Sequence, residues 1–361
     1  METVLKSDFV FKEDNLKDWV EHLLSLSAQE LAILTGDHEA RKKIIDCANS
    51  LVDSAYTQGN KEHLVLIHKV LSQCYDQEFS IPSHENINAD RRAVFSDICG
   101  IFETAIIDAE AKEISESSIT GYPTDGQEYI NWLHKLIGAH TSSIHPLYNK
   151  YIAKFADAED LAFYLAQETT LDPRFDDILA LMQIGTGPSE KLEIASNYWD
   201  EMGNGKQEDV HTRLFSKALD AVGVTDAFIK ENILDEAIIS GNLSACFALH
   251  RRHYYKAVGY FGVTEYLAPR RFKHVVKAWE RNNLPEKGIE YHKLHIHIDT
   301  VHAKAWLNNV IAPLVEKDPR LGREIALGAL IRLNSSERYL DIMLDHFTES
   351  KNNYDRVVGE N

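Results

Sequence analysis

The apolar positions of the chain recur with the period of an α-helix, and alternation with a period of two is almost absent. Few dipeptides that close β-hairpins occur. The pattern therefore predicts an all-α protein. In the first third of the chain, helices are expected at 15–27, 27–34, 39–58, 61–75 and 91–111. Asp37 is positioned to cap the third of these helices.

Two polar stretches that contain proline or glycine, 77–89 and 113–126, are predicted to be loops. Aromatic and histidine content rises from about residue 127. We therefore expect a domain boundary near residue 125, between an N-terminal helical domain (1–125) and a second domain (126–361). The N-terminal domain could serve packing, dimerisation or as a lid. The second domain is predicted to contain helices at 146–171, 173–182, 189–202, 209–222, 225–240, 242–260, 262–282, 285–311, 318–333 and 335–348.

Composition narrows the function classes. The 361 residues are 44% hydrophobic, enough for a sizeable core, and no apolar run approaches the roughly 18 residues of a membrane-spanning helix. The net charge of −18 argues against a nucleic-acid surface, which needs clustered lysine and arginine. The N-terminus carries acids where a signal peptide needs an apolar core, and the cysteines form no CxxC pair. We expect a cytoplasmic protein without disulfides.

One predicted helix near the end of the second domain holds four histidines and one aspartate. At about 100° per residue, His295, Asp299 and His302 fall within about 60° of one another on one helical face. His292 lies close to that face, and His297 points away from it. Two imidazoles and a carboxylate aimed at one point form a ligand set suited to iron, zinc or manganese. The alternative is an amphipathic helix whose polar groups pair in the core.

A metal site needs further ligands from other helices. Glu168 interrupts an apolar stripe, where a carboxylate is costly unless it is paired or metal-bound, although it could also be a surface residue at a helix end. Glu201 also aligns with apolar residues, and His211 follows ten residues later, after two glycines that permit a distortion. Taken alone, His211 would be a core histidine bonded to a backbone carbonyl. Glu265 could be a ligand, orient a ligating histidine or pair with a neighbouring arginine.

These candidates add up to three carboxylates and three imidazoles. The set is Glu168, Glu201, His211, His295, Asp299 and His302. Such a set can hold two divalent irons at the ~3.5–4 Å separation of two-metal sites. Ferritin-like bundles repeat Glu-x-x-His on two helices, and neither candidate glutamate has a histidine at that spacing, so another helical scaffold is needed.

The order of these residues resembles the haem-oxygenase-like di-iron oxidases, a family also described as iron-containing redox enzymes. A glutamate is followed by Glu-x9-His with a GxG between, and then by His-x3-Asp-x2-His. The resemblance covers about residues 152–310 and is closest to six-ligand members that oxygenate nitrogen. It implies a haem-oxygenase-like helical bundle in which the six residues are ligands, with Glu201 joining when the irons are oxidised. Glu265 matches a helix of the family less firmly, and its role stays open.

The resemblance implies an O2-dependent non-haem oxidoreductase with two irons, O2 as co-substrate and an external reductant. We expect a small amino-acid-like substrate that is N-oxygenated at an amine or guanidine. Desaturation and oxidative C–C cleavage of an amino or fatty acid are the alternatives within the family. The N-terminal region resembles the helical, often dimer-forming extension of some larger members, so the resemblance allows a homodimer, and the sequence leaves the oligomeric state open. Outside the family, a metal-free helical interaction protein and a haem or tetrapyrrole enzyme stay open, although inward carboxylates disfavour a haem pocket. Nucleic acid and membrane are not expected as partners.

Overall fold

The computed structural model describes residues 36–84 and 92–350, together with Ser25, Leu26, Glu30 and Ile33. The described residues form helices and connecting loops with no strand, so the all-α prediction is confirmed. The chain divides into two compact units, Met1–Glu113 and Ile114–Asn361. Most of the helices predicted at 15–27 and 27–34 lies outside the described residues.

The described part of the N-terminal unit is built around long helices that match the predictions closely. Their bounds are α1 His38–Val52, α2 Lys61–Glu78 and α3 Arg92–Lys112. Asp37 caps α1 as predicted, because its side chain accepts hydrogen bonds from the backbone N–H groups of Glu39 and Ala40. Helices α2 and α3 are joined by a buried hydrogen bond of 3.0 Å from the hydroxyl of Tyr75 to Glu103.

The C-terminal unit is a larger helical bundle. Its helices are α4 Gly126–Ala139, α5 Ala158–Glu168, α6 Phe175–Met182, α7 Pro188–Glu201, α8 His211–Ala221, α9 Asp226–Asn232, α10 Asp235–Leu249, α11 Tyr254–Arg281, α12 Glu290–Trp306, α13 Ala312–Lys317 and α14 Leu321–Ser350. π-Helical turns occur at Leu147–Ile152 and Leu307–Ile311. Helix α11 packs against both α12 and α14 and so lies at the centre of the unit. In the part of the chain that the structure describes, we find no helix able to cross a membrane.

The contact between α11 and α14 depends on glycines. A Cβ atom at Gly259 would collide with the backbone carbonyl of Ile325, and one at Gly328 with the carbonyl of Lys256. Only glycine permits two helix backbones to approach this closely. The contact fixes the position of α11, the helix that carries Glu265.

The sequence predicts a helix boundary at Gly262, and this prediction is wrong because α11 continues through that residue. A Cβ at Gly262 would lie 3.2 Å from the indole ring of Trp306, so the glycine makes room for packing against α12. Pro269 also lies inside α11. A proline has no N–H, so the carbonyl of Glu265, one turn earlier, lacks its usual helical donor.

The structure divides two of the predicted helices, and at each division a side chain forms hydrogen bonds with the backbone groups at the helix ends. The helix predicted at 146–171 is divided at Asp157, whose side chain caps α5. The helix predicted at 225–240 is divided between α9 and α10. At this break the side-chain NH2 of Gln167 donates to the backbone carbonyl of Asn232 at 3.0 Å. The side-chain oxygen of Gln167 accepts from the backbone N–H of Leu234 at 2.8 Å.

Two further differences concern single elements. The helices predicted at 318–333 and 335–348 form one continuous helix, α14. Helix α4 falls in a stretch for which no helix is predicted; it begins at the cap Asp125, whose side chain accepts from the backbone N–H of Glu128 at 2.9 Å.

Candidate metal centre

Helix α12 presents one polar face to the interior of the C-terminal unit. His295, Asp299 and His302 are each no more than 5% exposed, whereas His297 is exposed. This is the arrangement expected from their spacing. His292 is also fully buried, but it lies against aromatic rings, and neither of its ring nitrogens has a hydrogen-bond partner among the described residues.

The first group of candidate ligands consists of Glu201, His211 and His295, whose ligand atoms lie within 4.8 Å of one another. Nδ1 of His211 is 2.7 Å from Oε2 of Glu201, and Nε2 of His295 is 3.6 Å from Oε1. The shorter contact is not aligned as a hydrogen bond, so Nδ1 of His211 has no hydrogen-bond partner in the described part of the chain. Burial raises the pKa of the Glu201 carboxyl, but its interactions with the two histidines outweigh burial and lower that pKa to about 2.

The connection between α7 and α8 brings Glu201 and His211 together. Positive φ angles occur at three consecutive residues, Gly203 (59°), Asn204 (52°) and Gly205 (83°). A Cβ at Gly203 would lie 2.5 Å from the backbone carbonyl carbon of Asp209, so no other residue fits there without movement. The two glycines that the sequence marked as a distortion therefore form a tight left-handed turn, and the end of α7 faces the start of α8.

The second group consists of Glu265, Asp299 and His302, whose ligand atoms also lie within 4.8 Å of one another. Nδ1 of His302 is 3.9 Å from Oε2 of Glu265. Burial raises the pKa of both the Glu265 and the Asp299 carboxyl well above their ordinary values, and the charge of Glu201 raises both further. His295 of the first group and Asp299 of the second lie one helical turn apart on α12, so the two groups are side by side.

Neighbouring acceptors fix the orientation of the two histidines of α12. In the tautomers that the contacts favour, Nδ1–H of His295 donates to the backbone carbonyl of Tyr291 at 2.8 Å, and Nε2 faces the first group. Nε2–H of His302 donates to the carboxylate of Asp200 at 2.8 Å, and Nδ1 faces the second group. The amide of Asn204 in turn donates to Asp200 at 2.8 Å. Acceptors of this kind orient metal-ligating imidazoles.

A small cavity of about 50 Å³ adjoins both groups, and we call it the metal chamber. Its wall includes His295, Glu265 and Asp299. Glu168 also lies in this wall but in neither group, and its Oε1 accepts a hydrogen bond of 2.7 Å from the hydroxyl of Tyr339. The structure thus gathers five of the six predicted ligands, together with Glu265, and places the sixth beside them. Glu265 forms no ion pair with an arginine in the described part of the chain.

Asp172, in the wall of the metal chamber, is absent from the predicted set. Burial raises the pKa of its carboxyl well above the ordinary value, and the charges of Glu168 and Glu201 add to the effect. Its Oδ2 has no hydrogen-bond partner among the described residues. The sequence signal was a carboxylate one helical turn after Glu168, but the proline that follows made Asp172 look like a helix start. Asp200, which orients His302, was also missed although it adjoins Glu201.

The residues of the two groups fit divalent iron. Imidazole nitrogen and carboxylate oxygen, with no thiolate in either group, are ligands that Fe(II) accepts. Burial raises the pKa of the Glu265 and Asp299 carboxyls, nearby carboxylates raise it further, and a bound cation would stabilise the ionised form of both. Burial lowers the pKa of His302, with Asp200 opposing, and a neutral imidazole is the form that ligates a metal.

A comparison with protein families agrees with this chemistry. A family model described as iron-containing redox enzyme matches residues 162–337. Residues 162–337 belong to the iron-containing redox enzymes. The resemblance drawn from the sequence is thus confirmed, and the C-terminal bundle has the haem-oxygenase-like fold. Membership of the iron-containing redox enzymes makes this part of the chain an oxidoreductase, and every candidate ligand lies within the matched range. No curated protein matches the chain.

Proposed function

We propose that the C-terminal unit is a non-haem di-iron oxygenase that N-oxygenates an amine or guanidine of an amino-acid-like substrate. The observation that carries the proposal is the pair of buried three-residue ligand groups, side by side, in a segment that belongs to the iron-containing redox enzymes. Two ferrous ions held there would supply electrons for the reduction of O2, and an external reductant would restore them.

The chain supplies the ligands from α7, α8, α11 and α12. Glu201, His211 and His295 would hold one ion, and Glu265, Asp299 and His302 the other. Glu168 and Asp172 add carboxylates at the wall of the metal chamber. Anionic oxygen ligands favour the more highly charged oxidation state of a metal, while the oriented histidines hold the geometry. The burial of both groups excludes bulk water from the reacting centre.

Glu201 supports the choice of nitrogen oxygenation among the reactions of the family. It precedes His211 by ten residues, as in the members that oxygenate nitrogen, and the turn at Gly203 brings the two side chains together. Desaturation and oxidative C–C cleavage of an amino or fatty acid are the alternatives, and they give different products.

The first experiment measures metal content and the optical spectrum after anaerobic loading with Fe(II). We expect about two irons per chain and no Soret band. His295→Ala should lose iron, whereas His297→Ala, which changes the exposed histidine of the same helix, should load like the wild type. Iron content that stays at zero would contradict the proposal and favour a metal-free interaction protein. A Soret band would indicate a haem enzyme instead.

The second experiment identifies the product. The iron-loaded protein is given 18O2, ascorbate as reductant and, in turn, lysine, ornithine, arginine or dodecanoate. N-oxygenation places one 18O atom on the substrate nitrogen. Desaturation removes two hydrogen atoms without adding oxygen, and C–C cleavage shortens the carbon chain. Turnover that yields only desaturated or shortened products would overturn the N-oxygenase assignment while leaving the di-iron assignment in place.

A further inference from the structure

The metal chamber is too small for an organic substrate, because about 50 Å³ accommodates only a few water-sized molecules. A second cavity, which we call the outer cavity, has a volume of about 550 Å³. This volume lies within the range of small-molecule binding sites, roughly 300–1,000 Å³. Asp299 lines both cavities. A molecule in the outer cavity would therefore lie against a residue that is one of the candidate metal ligands.

Three cations line the outer cavity, Arg270 and Lys273 on α11 and Lys304 on α12. All three are exposed, and in the described part of the chain none is paired with a carboxylate. The guanidinium of Arg270 is held by Tyr266, because it donates to the Tyr266 hydroxyl at 2.8 Å and lies 4.8 Å from the centre of that ring. Unpaired cations around one cavity are notable in a chain with a net charge of −18, and they provide a site for an anion.

The positions of Asp299 and Lys304 in the wall of the outer cavity are separated along α12. Lys304 follows Asp299 by five residues, which corresponds to about 7.5 Å along a helix axis. Other parts of the wall are apolar and include Ile130, Pro269 and Leu307. The outer cavity thus has a carboxylate at its boundary with the metal chamber, cations elsewhere in its wall, and apolar surface besides.

We propose that the outer cavity is the substrate site and that it binds an ω-amino carboxylate, with the carboxylate at Arg270, Lys273 and Lys304 and the amine directed toward Asp299. This inference rests on the proposed function and adds the substrate class and its orientation. A ligand with only one of the two charges would leave one end of the cavity without a partner, so both charges contribute to selectivity.

Isothermal titration calorimetry tests the proposal with 6-aminohexanoate, whose termini, when extended, lie a distance apart comparable to the axial spacing of Asp299 and Lys304. Hexylamine and hexanoate each lack one charge, and inorganic phosphate tests for a different anion. The titrations use the full chain, first without metal and then loaded anaerobically with Fe(II). We expect 6-aminohexanoate to bind more tightly than the other three probes.

The variants Lys273→Gln and Lys304→Gln should each raise the Kd of 6-aminohexanoate about threefold, as expected for one partly exposed ion pair. The double variant should raise it about tenfold, and the Kd of hexylamine should not increase. Lys277→Gln is the matched control, because Lys277 is an exposed lysine of α11 that does not line the outer cavity. Circular dichroism verifies that all variants fold.

Three outcomes would overturn the proposal: no measurable binding of 6-aminohexanoate to either form, a Kd that is the same in the wild type and the double variant, or tighter binding of phosphate than of the carboxylates. These outcomes are separate from those for iron. If binding of 6-aminohexanoate depends on Lys273 and Lys304 but the protein takes up no iron, the di-iron function is refuted and the substrate site is retained. If the protein takes up two irons but the Kd of 6-aminohexanoate is the same in the wild type and the lysine variants, the proposed substrate site is refuted and the di-iron function is retained.

Discussion

Replacing Asp299 by asparagine should have opposite effects on the stability of the metal-free and the iron-loaded protein. Asp299 is 3% exposed, and burial raises its pKa, with the charges of Glu265, Glu201 and Asp172 adding to the effect. Without a cation, the folded protein must either keep this carboxylate ionised among other acids or protonate it. Asparagine has nearly the same shape and removes that cost, so Asp299→Asn should stabilise the metal-free protein.

The gain has an upper bound of about 4 kcal/mol at pH 7, because that is the free energy needed to protonate an aspartate of ordinary pKa at this pH. A buried amide still needs hydrogen-bond partners, which reduces the expected gain to about 1–3 kcal/mol. For a unit of this length, each kcal/mol corresponds to a shift of about 2–4 °C in Tm. We therefore expect the Tm of the metal-free variant to rise by several degrees.

The pH dependence of this gain has a definite sign. A carboxyl whose pKa is higher in the folded than in the unfolded state binds more protons when folded. The free energy of unfolding therefore falls as pH rises between the two pKa values. The advantage of Asp299→Asn should be near zero around pH 3, where the carboxyl is protonated in the folded state and largely so in the unfolded state. It should grow as the pH rises toward neutrality.

With iron bound, the wild type should be more stable than Asp299→Asn, the reverse of the order expected for the metal-free proteins. Iron at 100 times its Kd stabilises the folded state by about 2.7 kcal/mol, and each tenfold loss of affinity removes about 1.4 kcal/mol of binding free energy. Because the variant replaces a candidate anionic ligand by a neutral amide, it should gain little from iron. Thermal unfolding followed by circular dichroism, with chelator and with anaerobic Fe(II), measures both effects at pH 5 and pH 7.5.

Asp220→Asn, which changes an exposed aspartate of α8, is the control. It should change the Tm of neither the metal-free nor the iron-loaded protein. The reasoning would be refuted if Asp299→Asn lowered the Tm of the metal-free protein and left iron uptake intact. In that case Asp299 would be a structural residue whose carboxylate is needed for the fold itself.

Two further predictions concern residues that position the ligands. Asp200→Ala removes the acceptor that orients His302 and should lower iron affinity about 10–100-fold with little change in the Tm of the metal-free protein; equal iron affinity by titration would contradict this role. Gly203→Ala places a Cβ against the backbone of Asp209 at positive φ and should destabilise the protein by about 1–3 kcal/mol. The control Gly138→Ala, in open space on α4, should not lower stability in the same denaturant titration.

The sequence was sufficient for the features that depend on local periodicity. The shared face of His295, Asp299 and His302 follows from helical geometry alone, and the structure buries all three. The glycines between Glu201 and His211 signalled a special backbone, because few other residues adopt positive φ. Helix bounds were least predictable where a distant side chain decides them, as where Gln167 satisfies the break between α9 and α10.

Asp172 and Asp200 could not be recognised from periodicity. Asp172 follows the end of α5 in a short turn, so its approach to the metal chamber depends on how that turn packs. Asp200 lies beside Glu201 on α7, and its contact with His302 spans 102 positions of the chain. Both residues are defined by tertiary contacts, and a position one helical turn after Glu168 or next to Glu201 is not enough to separate them from the chain's other acidic residues.

The two cavities show how a single helix can relate substrate length to the metal site. Helix α12 contributes His295, Asp299 and His302 to the candidate metal groups. Lys304, two residues after His302 on the same helix, lines the outer cavity. Because α12 has a fixed rise of about 1.5 Å per residue, the interval between Asp299 and Lys304 sets the separation between their positions on the helix. An added or deleted residue between them would rotate Lys304 by about 100° and remove it from the outer cavity. If the outer cavity binds the substrate as proposed, the register of α12 selects the length of the substrate as well as the metal ligands.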